Sequence, residues 1–373
     1  MSDLSKTSCD LGTKVALNLQ WVGDISLNGR YCCPMNYMSL RDNIKQIVAD
    51  FGECDIRIGN FESPLWGDGG VNLLKVPRLC TTEDAVESIS ALKLDVALLA
   101  NNHVYDCLEK GFENTVNFLD RHKIKYLGAG FTQQEASEPL VLERNGIRVG
   151  LLNYVGTDTH PNIPEGAGVF LNMFEEERVL NEISDLIKRS DIILLHLHWG
   201  AEELIRLPSQ YQREFARKAV EAGAKVVVCH HSHCLQSCES WGKGHIFYGL
   251  GNFIFGDVDG KDWPEISSWA AVAIALVSSN KVEDANLKYL YQRDLILEWD
   301  RRESRRRMQN RLNLYVKFKP RLYGFVFRCE LFYQKVILAY FRFIKRSGGF
   351  LPSMMKIRKK HLTAIQNIIF GLK

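Results

Sequence analysis

The chain has 373 residues, 46% hydrophobic and 24% charged, with a formal net charge of +3. Those proportions exclude a disordered chain, a collagen-like repeat and a small disulfide scaffold. The net charge hides an asymmetry: residues 1–299 hold 28 Lys and Arg against 41 Asp and Glu (−13), while residues 300–373 hold 19 against 3 (+16), an acidic body with a basic tail.

In chain order, the N-terminus shows no apolar core of signal-peptide length and no small-residue cleavage site. Val15 to Val22 reads as a strand with Val15, Leu17, Leu19 and Trp21 on one face. Leu40, Ile44, Ile47, Val48 and Phe51 mark an amphipathic helix. Asp95–Ala100 is a short apolar strand, as expected of a buried central one. Phe112, Val116 and Leu119 give the next helix, and Val179, Leu180, Ile183, Leu186 and Ile187 another. Asp191–Leu197 is again a buried strand. Phe215, Ala219 and Val220 lie on a helix ending at Gly223. Lys225–Cys229 and His245–Phe255 follow as strands, and Trp269 to Asp294 as strands turning near Ser278–Asn280. Helices alternating with strands, then strands alone, indicate a layered α/β domain with mixed sheets.

The ten cysteines show no paired spacing and are read as reduced thiols of a cytosolic protein. No stretch approaches 18 uncharged apolar residues, so no membrane-spanning helix is expected.

The chemistry collects where strands end. Asp24 follows the first strand, Asn60 and Glu62 a second, and Asn101-Asn102-His103 follow Asp95–Ala100. His196 and His198 end the Asp191 strand, and His230-His231-Ser232-His233 end the next. Ligands gather at the carboxyl ends of strands in open α/β sheets. Taken singly, Asp24 is a turn residue, Asn101-Asn102 a turn, and His198 beside Trp199 a hydrogen-bonded core histidine. Three histidines in four residues rarely serve packing. In an extended segment i and i+2 share a side, so His231 and His233 can face one cation, and at least one of His196 and His198 points inward. Imidazole suits Zn, Fe and Mn, while carboxylate and amide oxygens suit harder cations. Two such ions about 3.5–4 Å apart can activate a water and hold a phosphoryl oxygen. His122, His160, His245 and His361 fall outside this pattern.

With these residues in view, the sequence resembles the capsule-synthesis, poly-γ-glutamate synthesis (CapA-type) family, a branch of the calcineurin-like metallophosphoesterases. The motifs are GDISLNGR (23–30), GNFESPL (59–65), ANNHVYD (100–106), HWGAE (198–202), HHSHCLQ (230–236) and YGLGNFIF (248–255). They occur in the family's order and span roughly residues 14 to 295. The resemblance implies a four-layer α-β-β-α sandwich of two mixed sheets flanked by helices. It implies one or two divalent ions (Mn, Fe, Zn or Mg) held by Asp24, Glu62, Asn102, His198, His231 and His233. His103 becomes the acid near the leaving group, Arg30 a holder of phosphate or carboxylate, and His196 a stabiliser of negative charge. Asn60, Asp106, Glu202 and Asn252 orient these groups. Simple metallophosphoesterases begin with Asp-x-His and Gly-Asp; here Ser26 and Asn60 replace the histidine and the aspartate. Within the family, Cys229 stands where Gly is usual and Ser232 where Pro is usual.

The expected organisation is a lead-in (1–13), a metallophosphoesterase-like domain (14–299) and a basic, aromatic-rich, helical extension (300–373). The expected function is a metal-dependent hydrolase, a phosphoesterase first, serving capsule, exopolysaccharide or poly-γ-glutamate biosynthesis. The alternatives are a non-catalytic accessory subunit of a membrane polymer synthase and an amide hydrolase acting on poly-γ-glutamate. Expected partners are an anionic polymer or phosphoester, a capsule synthase, and an anionic membrane met by residues 301–373. The expected place is the cytoplasm, peripheral on the inner membrane face. The bland reading of the extension packs its aromatics on the body; nucleic-acid binding ranks last, because no recognised motif supports it.

Overall fold

The structure is a computed structural model that describes residues 16–338 apart from 202, 259, 262, 302 and 303. In chain order it runs β1 (Leu17–Ser26), α1 (Pro34–Phe51), β2 (Ile56–Phe61), α2 (Glu83–Val86), β3 (Val96–Leu98), α3 (Leu108–Arg121), β4 (Lys125–Leu127), β5 (Ala129–Gly130), α4 (Gln133–Ser137), β6 (Leu140–Arg144) and β7 (Ile147–Val155). Then come β8 (Phe170–Leu171), α5 (Glu176–Leu186), β9 (Ile192–His198), α6 (Gln210–Ala222), β10 (Val226–His230), β11 (Cys238–Trp241), β12 (Gly244–Phe247) and β13 (Asn252–Phe255). The chain closes with β14 (Trp269–Val277), β15 (Val282–Arg293), β16 (Ile296–Trp299), α7 (Ser304–Tyr315) and α8 (Pro320–Phe332).

One sheet has the order β16-β15-β14-β1-β2-β3-β4, with β13 also paired to β1. The second large sheet has the order β11-β12-β10-β9-β7-β6, and β5 pairs with β8 apart from both. Strand alternation sorts their side chains into three apolar clusters. Leu17, Leu19, Ile56, Ile58, Val96 and Leu98 of the first sheet meet Val149, Leu151, Ile192, Leu194, Val226 and Val228 of the second. On its other face the first sheet packs on α1, α2 and α3 through Leu40, Ile44, Val86, Phe112 and Phe118. The second packs on α5 and α6 through Val179, Ile183, Phe215 and Ala219. The result is an α-β-β-α sandwich of two mixed sheets, as the resemblance implied.

Two sequence expectations are corrected. His245–Phe255 is not one strand. β12 pairs with β10 in the second sheet, and β13 pairs with β1 in the first. Between them Gly251 takes φ +72°, which lets the chain turn across the gap. Both pieces are apolar, so hydrophobicity alone cannot reveal the crossing. The thiols are not all reduced: Cys80 and Cys107 form a disulfide, their Cα atoms 6.4 Å apart. It ties the loop after Glu62 to the start of α3.

The basic segment after 300 begins as part of the body. Leu312 and Val316, with Tyr323 from α8, are buried against the α5–α6 face. Arg213 donates to the carbonyls of Val316 and Phe318 and lies over the Tyr323 ring at 4.0 Å. The Tyr323 hydroxyl donates to Pro208 O, and Gln309 donates to Gln236 O. Polar and apolar contacts thus hold the start of the segment to the body together, since groups buried there must find partners within the protein. Residues 339–373, including the periodic stretch from Ile357 to Leu372, lie outside the described residues. Among the described residues no helix is long and apolar enough to cross a membrane.

Candidate metal centre

The space between the sheets changes character along the strands. Its lower part is mainly apolar; at the carboxyl ends of β1, β2, β9 and β10 the inward positions become Asp24, Asn60, His198 and His230. On β2, β9 and β10 simple alternation achieves this: Ile56, Ile58 and Asn60; Leu194, His196 and His198; Val226, Val228 and His230. On β1 alternation would aim Asp24 away, because Leu17, Leu19 and Trp21 face inward. A bulge corrects it. Val22 pairs with Gly59 and Asp24 with Asn60, leaving Gly23 as the extra residue. Only glycine fits there, since a Cβ at position 23 would stand 2.0 Å from Gly251 O.

The side chains then converge. Asn60 Nδ2 donates to Asp24 Oδ1 at 2.8 Å and Glu62 Oε2 at 3.1 Å, so one amide holds both carboxylates. His198 lies between two amides, with Nδ1 3.3 Å from Asn60 Nδ2 and Nε2 3.1 Å from Asn102 Oδ1. His233 Nδ1 donates to Asn252 Oδ1 at 2.8 Å, and its Nε2 stands 3.7 Å from Glu62 Oε1. His231 packs between His198 and His233, at ring separations of 5.0 and 5.9 Å. Beside this group, His103 Nδ1 is 2.6 Å from Asp106 Oδ2. The backbone is strained here: His231 and His233 take φ +87° and +51°, a region that side chains with a Cβ seldom adopt. Such strain clusters at functional sites.

Electrostatics follow from burial. Burial works to raise Asp24, but hydrogen bonding and charge from His230, with His233 and Asn60, outweigh it and hold the carboxyl below its ordinary value. Burial, then the neighbouring Asp24 and Glu203, push Glu62 well above the carboxylate range. Burial first, then the other histidines, draws His198 and His231 far below the usual histidine value.

The donor set fits a divalent cation. Among the described residues, Asn60 Oδ1, Glu62 Oε1, His230 Nε2 and His231 Nδ1 are buried without a hydrogen-bond partner. A buried polar atom left so is costly, and a cation in their midst would satisfy them. Asp24, Glu62 and His233 offer ligand atoms within 4.8 Å of one another, as do Glu203, His231 and His233. Mixed imidazole and oxygen donors suit Zn, Fe and Mn.

Most of the expected residues are therefore neighbours: Asp24, Asn60, Glu62, Asn102, His103, Asp106, His198, His231, His233 and Asn252. His196 is not among them. Its Nε2 accepts from Trp21 Nε1 at 2.9 Å and its Nδ1 donates to Leu152 O at 3.0 Å, so both nitrogens are committed to the inter-sheet core. It cannot stabilise charge at the cluster, and its expected catalytic role is corrected to a structural one. Arg30 stands at the edge, half exposed, with N–H and Nε–H donating to Asp257 Oδ1. A cleft of about 280 Å³ joins Arg30 to Asn252 and to Trp263, whose ring lies 4.6 Å from that of His233. Glu202 lies outside the described residues. Sequence reasoning missed Glu203, the second acid of an adjacent pair, and gave no role to His230, whose Nδ1 is 2.9 Å from Asp24 Oδ1. It also missed Asp257, which no motif flags.

Residues 18–257 match the family model described as "Bacterial capsule synthesis protein PGA_cap". The chain belongs to this family. Among curated PGA_cap-like relatives, the PGA biosynthesis protein CapA of Bacillus subtilis (strain 168) is 29% identical over 251 residues, 64% of this chain and 63% of the relative. The capsule biosynthesis protein CapA of Bacillus anthracis is 30% identical over 247 residues, 64% of this chain and 60% of the relative. The chain thus spans about three fifths of the length of these relatives. Solved structures with some similarity include a 5'-nucleotidase precursor from Thermus thermophilus, at 15% identity and TM-score 0.42, covering 74% of this chain and 54% of that one. The calcineurin-like phosphoesterase YfkN from Bacillus subtilis is 14% identical with TM-score 0.42, covering 82% and 99%. The PGA_cap match ends at Asp257, the residue that holds Arg30; β14 to β16, α7 and α8 lie beyond it.

Proposed function

We propose that the protein is a divalent-metal-dependent hydrolase, a phosphoesterase first, acting in the synthesis of a capsule or of poly-γ-glutamate. One observation carries the reading: four buried acceptor atoms with no partner among the described residues lie within a cluster of carboxylates, amides and imidazoles. Asp24, Glu62, Asn102, His198, His231 and His233 would hold the ion or ions, and Asn60 and Asn252 would orient them. When bound, such an ion supplies a Lewis acid and an activated water. The chain's own residues would do the rest. Arg30, steadied by Asp257, would take a phosphoryl or carboxylate oxygen at the mouth of the cleft. His103, oriented by Asp106, would hand a proton to the leaving oxygen. Burial draws His103 below the ordinary histidine value despite the pull of Asp106; an arriving anion favours its protonated form, coupling protonation to substrate binding.

The test is direct. Purified protein loaded with Mn, Zn, Fe or Mg is assayed on generic phosphoesters, with metal content measured alongside. Asp24→Ala and His231→Ala should each lose metal and at least about 10³-fold in turnover, the scale of losing an electrostatic centre. Activity surviving both changes would sink the site.

A second reading has its own support. Ser26 Oγ donates to Asn28 Oδ1 at 2.8 Å, so the position held by a histidine in simple metallophosphoesterases is occupied by a hydroxyl already in use. A Mycobacterium tuberculosis relative, 25% identical over 213 residues, is described as a "Probable polyglutamine synthesis accessory protein". Full metal occupancy with no turnover on phosphoesters or γ-glutamyl amides, and co-purification with a membrane synthase, would favour an accessory subunit. Peripheral attachment to an anionic membrane through the basic segment suits either reading.

A further inference from the structure

The loop between β2 and α2 carries a buried cation that the metal site does not use. Lys75 is only 4% exposed. Its ammonium donates to His160 O at 2.8 Å, and among the described residues no carboxylate lies within salt-bridge distance of it. An ammonium has three donors, and among those residues this one has a single hydrogen-bond partner. Burying a charge costs far more than one neutral hydrogen bond returns, so an anion is expected to offset it.

The lysine is placed with care. Its own N–H donates to Asn72 O, and Asn72 N–H donates to Asp106 O at 2.9 Å. The Asn72 amide donates to Asn162 O. Leu79 N–H donates to the Asp106 carboxylate at 2.7 Å, and Cys80 is bonded to Cys107. The same Asp106 that orients His103 thus anchors the Lys75 loop on both sides of the lysine. The acidic groups whose fields reach the ammonium are Asp106, Glu62 and Glu203. In return Glu62, His103 and His231 feel its charge.

We propose that Lys75 is an anion-binding residue of the metal centre, its ammonium taking an anionic oxygen of the substrate on the His103 side. The chemistry recognised is a phosphoryl or carboxylate oxygen. The inference rests on reading the cluster as a metal-dependent hydrolytic site. Burial draws the ammonium below the ordinary lysine value, against the pull of the three acids; an anion beside it restores the charged form.

The experiment uses the manganese-loaded full-length protein, titrated calorimetrically with inorganic phosphate and separately with glutarate. Wild type is compared with Lys75→Arg, Lys75→Gln and Lys75→Met, with metal content and melting temperature recorded for each. The glutamine can still donate toward His160 but carries no charge. Lys75→Gln should weaken binding at least about tenfold, as loss of a charge-assisted hydrogen bond does, while Lys75→Arg keeps most of it and metal content is unchanged. A response confined to phosphate names a phosphoryl group; one confined to glutarate names a carboxylate. Lys75→Gln binding both anions as wild type does, or wild type binding neither, overturns the proposal and leaves Lys75 a tether for its loop. Metal content separates the two readings: a protein that takes up no metal refutes the hydrolase, whereas the anion titrations judge the lysine.

Discussion

His196 and His198 stand two residues apart on one face of β9, yet their chemistry differs. His198 meets Asn60 and Asn102, while His196 is one layer deeper, fixed by Trp21 and Leu152. Spacing told the face but not the depth, which depends on where Trp21 of the opposite sheet fills the gap. Burial lowers His196 to about 3, with the Leu152 carbonyl pulling the other way. The sign follows. Above pH 6.5 the ring is neutral folded and unfolded; below it the unfolded chain takes a proton that the folded chain refuses until about pH 3. Stability from the neutral ring is therefore complete above 6.5 and falls as pH drops. His196→Ala should cost about 3 kcal/mol at pH 7, from a cavity and two orphaned partners. That gap should narrow below about pH 6.5, by up to about 1.4 kcal/mol per unit. Urea titrations at about pH 7 and about pH 5 check this. Metal content should stay at the wild-type level; its loss would return His196 to the site.

At the scale of elements, the site depends on β1 changing neighbours part-way along. Leu17 to Trp21 pair with β14, and Asp24 to Ser26 with β13. The bulge at Gly23 falls between the two pairings. Helices α1, α3, α5 and α6 were legible from a period of 3.6, and β3, β9 and β10 as short apolar runs, whereas α2, α4 and β4 to β8 were not read. The bulge and the β12–β13 crossing were not, since both arise from contacts between distant segments with no local signature beyond glycine. The clustered carboxylates, amides and imidazoles were legible as strand-end groups, but Lys75 and Asp257 were not: each sits on a loop whose course is set by hydrogen bonds to other loops. Gly23→Ala should cost at least about 3 kcal/mol, because the new methyl meets backbone that cannot yield cheaply. Gly69→Ala is the control. Its Cβ would find its nearest neighbour, Lys110, at an ordinary 3.7 Å, and the change should stay within about 1 kcal/mol. Thermal and urea denaturation of the pair would decide it; equal effects would remove the bulge from the account.

For the whole molecule, the charge asymmetry divides differently from the fold. The basic segment starts near 300, but α7 and α8 cover the second sheet with Leu312, Val316 and Tyr323. Arg217 turns inward to Glu239, at 2.8 and 2.7 Å, and with Arg213 its guanidinium caps the carbonyl of Val316. Removing everything from 301 would strip apolar surface from the body and confuse loss of attachment with loss of fold. Residues 339–373 hold eight Lys and Arg and no Asp or Glu. A chain ending at residue 338 keeps α7 and α8 whole. Near an anionic surface each basic residue contributes about 1 kcal/mol, so even partial engagement gives measurable binding. At low salt the full chain should sediment with phosphatidylserine vesicles. The chain ending at 338 should remain in solution with an unchanged melting temperature and metal content. Added salt should release the full chain, since screening shortens the reach of each charge to about 3 Å at 1 M. Equal sedimentation of the two chains would shift the attachment onto α7 and α8, and no sedimentation of either would remove the membrane from the proposal.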